Sequence, residues 1–462
     1  MTASFSRRRF LQLTGAAALS TSALSACGGS SGSGTSSSGG GEISFWGAFP
    51  DKPSEKYFQE HFIDAYNKTA TGADAFKARM TVKQPDTIDR LTQTAVAAGN
   101  GPDIIATNGP AQALSYIDNG NLLPLDDYID KLGWKNDFLP WALEAGRVNG
   151  KLYSLPSNLE TLSIYYNPAT LSQHGWSLPT SRAEFEALCA DAKDKGIIPV
   201  GAGNADWKPA SEWHVTWVWN AFAGPQAIYE ALTGKRTWND PVFVDGIDML
   251  KSWFDKGWFG GSTDRYFTNK FPTVYQQLAS SKAALLVNGS WTFAEVGPYF
   301  GKKAGNNATW DWAPLPSLNT GVPAGVMPLS IGTADSVNKA CKHPEKAAAM
   351  LDYILTGPDR QLGALAATGR APSPIKVAES DFPADIDPRV KRQYVQLSAS
   401  QDFGYTTWTF WPPKSDTYIY EQLEKVLVGK LTPKDYCAGL DALFQQELKA
   451  GKRPPVPAPK GA

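Results

Sequence analysis

From residue 42 onward the chain alternates short apolar runs with amphipathic stretches of helical period, and this alternation limits the possible folds more than any other feature. Short apolar runs predict strands, and apolar residues that recur every three or four positions predict helices. Because strands that alternate with helices form βαβ units, the pattern predicts an α/β fold with mainly parallel sheets. Strands are predicted at residues 43–46, 79–82, 103–106, 197–200, 283–287 and 327–332. Helices are predicted at residues 55–67, 87–98, 181–195, 212–222, 244–256, 344–355, 415–427 and 433–449.

The composition is that of a soluble globular protein, and the length is that of about three domains or of two large ones. The chain has 462 residues, of which 42% are hydrophobic and 19% are charged. The net charge is -1 and no basic block follows the first ten residues, which argues against nucleic acid as a partner. The 16 tryptophans are an unusually large number. They can form core, but they are also natural platforms for ligands with apolar faces, such as sugars.

The N-terminus predicts export and lipidation. Residues 6–12, Ser-Arg-Arg-Arg-Phe-Leu-Gln, resemble a twin-arginine export motif and precede an Ala-rich apolar stretch. Residues 24–27, Leu-Ser-Ala-Cys, resemble a bacterial lipobox, which would place diacylglycerol on Cys27. We therefore expect a signal peptide at 1–26 and a lipidated cysteine with a Gly/Ser tether at 27–41, holding the protein at the outer face of the cytoplasmic membrane. In the alternative, the signal peptide is cut elsewhere and Cys27 is incidental.

The remaining reactive residues give little indication of catalysis. Cys189, Cys341 and Cys437 could form one disulfide in any of three pairings, or remain three buried thiols. The four histidines lack metal-binding spacing, and no Walker A or complete dinucleotide motif is present. We therefore expect no metal, no cofactor and no catalytic residue. Carboxylates are plentiful, so a glycosidase with paired carboxylates stays open.

Five segments, in order, resemble the extracellular solute-binding proteins of family 1, the maltose-binding-protein-like sugar receptors of ABC transporters. They lie at residues 98–105, 121–128, 150–167, 282–291 and 330–355. The resemblance implies a type II periplasmic-binding-protein fold with two α/β lobes and a hinge. Lobe I is expected at 42–160 and 324–357, and lobe II at 161–323 and 358–462. Chain crossings are expected near 157–163, 322–326 and 356–360, with the ligand between the lobes.

The same resemblance implies the function. We expect a lipid-anchored, monomeric receptor that captures a mono- to oligosaccharide and delivers it to the permease of an ABC importer. The alternatives are a secreted, lipid-anchored carbohydrate hydrolase or lyase, and a structural surface lipoprotein without a small ligand.

Three candidate ligand contacts follow the first strands of the predicted sheet. A pyranose needs an aromatic ring against its C–H face and planar polar groups around its hydroxyls. Trp46 closes the first strand and Phe49 follows it, at the edge where α/β sheets bind ligands. Asn108 follows strand 103–106, where the family often carries a polar sugar contact. For Trp46 a purely structural role stays open.

The resemblance and the local sequence add seven further candidates. The family implies a cleft carboxylate at Glu160, sugar-stacking rings near Trp213 and His214, and a stacking ring at Trp291. A structural role for Glu160 stays open. The last candidates lie in an irregular aromatic segment and in a Gly- and Pro-flanked loop: Trp408, Trp411 and Arg370. For Arg370 the alternative is a solvated side chain.

Overall fold

The computed structural model describes residues 41–72, 75–85, 87–399 and 403–459. The predicted signal peptide, Cys27 and the tether up to residue 40 lie outside these ranges. No helix within the described ranges is long and apolar enough to cross a membrane. The three cysteines in the described part, Cys189, Cys341 and Cys437, are buried free thiols, so the alternative without a disulfide is the one observed.

The described chain contains strands and helices in the alternation that the sequence predicts. The strands are β1 Gly41–Gly47, β2 Phe76–Val82, β3 Ile104–Thr107, β4 Arg147–Val148, β5 Lys151–Leu152, β6 Leu155–Pro156, β7 Leu159–Glu160, β8 Leu162–Tyr166, β9 Ile198–Gly201, β10 Ala283–Gly289, β11 Asp311–Ala313, β12 Met327–Ile331, β13 Ala334–Val337 and β14 Phe403–Tyr405. The first helices are α1 Lys52–Phe58, α2 Asp64–Thr69, α3 Ile88–Ala97, α4 Gly109–Asp118, α5 Asp126–Ile129, α6 Trp134–Asp137, α7 Pro140–Ala145, α8 Pro168–His174, α9 Arg182–Asp194, α10 Ser211–Val218 and α11 Pro225–Leu232. The others are α12 Pro241–Asp255, α13 Thr263–Tyr266, α14 Phe271–Ala279, α15 Thr292–Glu295, α16 Pro344–Thr356, α17 Pro358–Thr368, α18 Pro388–Ala399, α19 Thr407–Phe410, α20 Pro413–Leu427 and α21 Pro433–Lys449.

Local sequence explains where several of these helices begin. The side chain of Asp51 accepts a hydrogen bond from the Ser54 N–H, and a proline follows in the first turn of α1. Ser181 and Glu184 form a reciprocal capping box at the start of α9. Two predicted helices contain a wider π-helical turn, at Gln59–Ile63 between α1 and α2 and at Trp219–Ala223 after α10.

The first lobe is built around a five-stranded sheet in the order β2-β1-β3-β13-β6. β1 pairs in parallel with β2 and β3, whereas β13 runs antiparallel to β3 and β6. The core of this lobe contains Ile43 and Ile104 from the parallel strands and Leu351 from α16, all nearly inaccessible to solvent. Trp46 is the next-to-last residue of β1, and Asn108 directly follows β3. Both residues therefore lie at the carboxyl ends of parallel strands.

The second lobe is built around a four-stranded sheet in the order β11-β8-β10-β9. β10 pairs in parallel with β9 and antiparallel with β8, and β11 runs antiparallel to β8. All seven residues of β10 are buried, as expected for a strand covered on both faces. The α/β prediction is confirmed, with one refinement. The sheets are mixed, because β13 and β8 run antiparallel to the strands on either side of them.

A third sheet connects the two lobes. It has the order β14-β12-β7, with β12 antiparallel to β7 and parallel to β14. Along the chain, β7 follows β6 of the first sheet and precedes β8 of the second. β12 is followed directly by β13 of the first sheet. Two passages of the chain between the lobes therefore lie side by side in one short sheet.

Candidate ligand-binding cleft

A cleft lies between the two lobes and consists of two adjoining chambers. The first chamber has a volume of about 890 Å³ and the second of about 510 Å³. Residues of β1, β3 and α3 form one side, and residues of α10, α14 and α15 form the other. Five residues line both chambers: Asp89, Asn108, Trp207, Phe271 and Glu295. The size matches that of small-molecule sites in general.

The second chamber has a wall of aromatic rings. The ring of Trp213, on α10, lies 4.9 Å from Trp291 and 5.6 Å from Trp207 between centroids. Phe271, at the start of α14, stacks on Trp213 at 5.7 Å and 24°. Trp408 completes the wall at 6.2 Å from Trp291, and its Nε1 donates a 2.6 Å hydrogen bond to Ser330 Oγ. The hydrogen bond and the ring contacts fix these faces before any ligand arrives.

Two glycines allow side chains of the cleft to lie directly against backbone. A Cβ atom at Gly289, the last residue of β10, would come within 2.0 Å of the Trp291 ring. A Cβ atom at Gly332 would come within 2.0 Å of Glu160 Oε2. Since such distances are impossible for real atoms, only glycine at these positions permits the observed placement of Trp291 and Glu160.

The first chamber contains the three candidates that follow β1 and β3. Trp46 and Phe49 line it at the carboxyl end of β1. Lys83 Nζ lies 4.4 Å from the centroid of the Trp46 ring, and Phe49 packs at 5.4 Å from Phe58. Asn108 precedes α4, and its Nδ2 donates a 2.7 Å hydrogen bond to Asp89 Oδ2. Its side chain is thus oriented by a second polar residue of the cleft.

Glu160 lies at the junction of the lobes, at the end of β7, and lines the second chamber. It is 6% exposed, and burial, with the nearby Glu295, raises its pKa to about 8, while Arg370 and the Asn158 side chain act in the opposite direction. Its carboxyl group is therefore mainly protonated near neutral pH, unless a nearby cation stabilises the ionised form.

Further carboxyl groups of the second chamber are also desolvated. Burial and the adjacent Asp416 hold the pKa of Glu212 well above its usual range, and Thr407 Oγ1 donates to Glu212 Oε2. Burial raises the pKa of Asp416 to about 6. Burial raises the pKa of Glu295 to about 7, although the Tyr275 hydroxyl donates a hydrogen bond to it. The chamber thus combines aromatic faces with carboxyl groups that gain from a partner.

Arg370 follows α17 and lines the first chamber, so the solvated alternative is wrong. Its guanidinium lies over the rings of Phe58 and Phe62, 5.4 Å and 5.7 Å from their centroids. Burial lowers its pKa, while Asp335 and Glu160 counteract that effect. Arg370 therefore supplies a positive charge on the floor of the first chamber.

His214 requires a correction, because the structure places it outside the cleft. It follows Trp213 on α10 but points into the core of the second lobe, where its ring lies 5.0 Å from Phe259 and 5.7 Å from Tyr266. Its Nδ1 has no hydrogen-bond partner among the described residues, and burial lowers its pKa to about 3. Consecutive residues of a helix point about 100° apart, so only one of the pair reaches the cleft.

Trp411 requires the same correction. Its ring lies 5.0 Å from Trp238 and 6.4 Å from Trp219, with 1% of the residue exposed. The backbone becomes extended directly after α19, which turns Trp411 away from the side that Trp408 faces. Trp411 is therefore core, whereas Trp408 lines the second chamber.

Sequence reasoning missed several residues of the cleft. Trp207 and Phe271 lie in loop or helix-start positions that carry no periodic signal. Four carboxyl groups were also missed: Asp89, Glu212, Glu295 and Asp416. Glu212 adjoins the predicted Trp213, and this adjacency was the one usable signal. Within the described ranges, no group of three His, Cys, Asp or Glu side chains could hold a metal ion.

Comparison with protein families and curated proteins gives a consistent result. The family described as bacterial extracellular solute-binding protein matches residues 61–389. Maltodextrin-binding protein MdxE of Bacillus subtilis is 25% identical over 259 residues, which are 55% of this chain and 57% of that protein. A maltooligosaccharide ABC transporter solute-binding lipoprotein of Streptococcus pneumoniae is 26% identical over 287 residues, 60% of this chain and 62% of that protein. The matched region thus spans less than two thirds of each relative.

Solved structures support the fold. A chitin oligosaccharide binding protein superimposes with a TM-score of 0.73 at 22% identity, covering 88% of this chain and 98% of that chain. Maltose-bound MalE3 of T. maritima superimposes with a TM-score of 0.67 at 17% identity, covering 88% and 99%. These likenesses confirm the two-lobed type II binding-protein fold.

Proposed function

Since the chain belongs to the family of bacterial extracellular solute-binding proteins, we propose that it captures a saccharide between its lobes and delivers it to the permease of an ABC importer. The names of its curated relatives, which include maltodextrin- and maltooligosaccharide-binding proteins, support this substrate class. The function is binding and transfer, without chemical change to the sugar.

The observation that carries the proposal is the composition of the second chamber. Its rings, including Trp213, Trp291 and Trp408, offer flat apolar faces, and its carboxyl groups accept hydrogen bonds from hydroxyls. A pyranose presents both kinds of surface, one on its C–H face and the other around its edge. An apolar ligand would leave the remaining accepting capacity of these carboxyl groups unused, at a cost of about 1–3 kcal/mol for each group left unsatisfied.

We propose that the lobes close on the ligand by rotation at the connecting sheet. The neighbouring passages through β7 and β12 support crossings near 157–163 and 322–326. α17 packs against α1 and α16 of the first lobe, which favours a third crossing after α17 over one at 356–360. The closed form would be the one that the permease recognises.

We propose further that the mature protein is a monomer tethered through lipidated Cys27 after twin-arginine export. The family and the lipoprotein names of relatives support an extracytoplasmic location. A Cys27→Ala variant should be released into the medium or remain unprocessed, while a Cys437→Ala variant should stay attached to the membrane. Unchanged membrane attachment of the Cys27 variant would contradict the anchor.

Calorimetry on the purified protein tests the proposal. We expect one saccharide per protein with a dissociation constant in the micromolar range or below, and we expect the sugar to be recovered intact. Small-angle scattering should show compaction with the same sugar. Turnover of the sugar would instead favour the hydrolase or lyase alternative, and a lack of binding to any saccharide would refute the proposal.

A further inference from the structure

The second chamber is acidic and contains no basic side chain. No Lys, Arg or His among the described residues lines it. Five carboxylic acids do: Asp89, Glu160, Glu212, Glu295 and Asp416. Arg370, the buried cation that faces Glu160, lines only the first chamber. A ligand in the second chamber therefore meets several acidic groups whose ionised forms have no basic side chain in the walls of that chamber to stabilise them.

Two of these carboxyl groups keep hydrogen-bonding capacity that the protein does not use. Asp416 Oδ1 is buried without a partner among the described residues. The Asn158 side chain hydrogen-bonds to Glu160 and lowers its pKa, but it uses only part of the accepting capacity of a carboxylate. Glu160 is more than nine-tenths buried and lines the chamber. Both groups can therefore accept a further hydrogen bond from a ligand.

The aromatic wall favours a cation over a neutral donor. An ammonium group over an aromatic face is attracted by the negative charge density of the ring. Trp213 and Trp291, whose centroids are 4.9 Å apart, line the same chamber as Glu160. A protonated amine held between these rings and carboxylates would form charge-assisted hydrogen bonds, which are about twice as strong as neutral ones.

We propose that the second chamber recognises a saccharide carrying a free, protonated amino group. The inference rests on the proposed function and names its substrate class: an amino sugar, with its ammonium nitrogen directed to Glu160 and its ring on the aromatic wall. A neutral sugar could occupy the same space, but it would leave the carboxyl groups without a counter-charge.

Sets of saccharides that differ only in one substituent test the proposal. We would titrate the protein with the monosaccharides glucose, glucosamine and N-acetylglucosamine. We would also use their β-1,4- and α-1,4-linked di- and trisaccharides, matched in length and linkage. In at least one matched set, the free amine should bind about ten-fold more tightly than both the hydroxyl and the acetamide compound.

Matched variants locate the effect. Glu160→Gln keeps the shape and removes the charge, so it should weaken the amine about ten-fold and the hydroxyl compound less than about three-fold. Asp416→Asn serves as a second test if the first variant does not fold. Glu421→Gln, an exposed position on the same helix as Asp416, removes the same net charge away from the cleft and should change neither affinity.

The outcomes separate the inference from the proposed function. If neutral or acetylated sugars bind as tightly as the amines in every set that binds, the inference is wrong and saccharide capture stands. An equal loss of amine and hydroxyl binding in Glu160→Gln would also overturn the inference, because charge would then not be the cause. If no sugar in any set binds, saccharide capture itself is refuted.

Discussion

Two groups of tryptophans in the second lobe have the same chemistry but opposite roles. We name the cleft cluster for the rings that line the second chamber: Trp207, Trp213, Trp291 and Trp408. We name the core cluster for the rings that pack in the lobe interior: Trp217, Trp219, Trp238, Trp253 and Trp411. Rings of both clusters pack against other aromatic rings, but only those of the cleft cluster line a chamber whose walls also contain several carboxyl groups.

The two clusters differ in where their residues lie along the helices and loops of the lobe, not in residue type. Trp213 and Trp217 are four residues apart on α10, so they lie on the same face of the helix. Trp213 reaches the chamber, while Trp217 lies one turn further and packs 5.7 Å from Trp253. Helical period indicates which face is apolar, but it does not indicate which turn of that face reaches the cleft.

The largest expected effect comes from truncating the core cluster. Trp411→Ala should destabilise the protein by about 3–5 kcal/mol, because a fully buried ring leaves a cavity. Chemical denaturation measures the loss, and calorimetry on the fraction that stays folded should find native affinity for the sugar. A stable Trp411→Ala protein with weakened binding would return Trp411 to the site.

The second effect concerns Glu160, a carboxyl group that lines the same chamber as the cleft cluster. Glu160 titrates near pH 8 in the folded protein, so the native state binds more protons than the unfolded state between about pH 4.5 and 8. The free energy of unfolding should therefore fall as pH rises through this window, by about 2–4 kcal/mol from Glu160 alone. Glu295, Arg370, Tyr165 and Tyr394 face this group.

Melting temperatures of the unliganded protein between pH 5 and 8 test this prediction. Glu160→Gln should reduce the fall in stability, whereas the exposed control Glu421→Gln should follow the unmodified protein. His214 cannot mimic the effect, since its lowered pKa costs stability only as pH decreases below about 6.5. Parallel pH curves for the Glu160 variant and the unmodified protein would contradict a raised pKa.

The sequence predicted the fold well because period and order are local properties. The strand predicted at 283–287 corresponds to β10, and the helix at 433–449 matches α21 residue for residue. The cleft could be predicted only in part. Eight of the ten candidate contacts line it, but His214 and Trp411 do not. Their orientation depends on helix phase and on one extended residue after α19, and neither is encoded in apolar patterning.

The missed residues show the same limit. Asp89 and Asp416 are far apart in sequence and lie on helices that otherwise show ordinary amphipathic patterns. They meet in one chamber only because the lobes face each other. A solvated carboxylate and a cleft carboxylate have the same local sequence, so three-dimensional packing was needed to distinguish them.

The third effect concerns a ring of the cleft cluster. Trp291→Ala should weaken sugar binding about five- to hundred-fold. The substitution removes the apolar contact between the indole face and the sugar, which contributes about 1–3 kcal/mol to binding. Its ring is partly exposed and lies against Gly289, so its loss should cost less stability than that of Trp411. A large decrease in melting temperature with native affinity would place Trp291 in the core cluster.

The smallest effect is expected at Trp46, in the first chamber. Lys83 Nζ lies 4.4 Å from the centroid of the Trp46 ring, so this ring already has a cation as a partner and is less available to a sugar than Trp291. Trp46→Ala should therefore weaken binding only about two- to five-fold, less than 1 kcal/mol. Because Trp46 lines only the first chamber, the loss should be greater for trisaccharides than for monosaccharides. Calorimetry with both lengths measures it. A loss as large as that of Trp291→Ala, and equal for both lengths, would show that the first chamber holds the main sugar unit and would reverse the roles assigned to the two chambers.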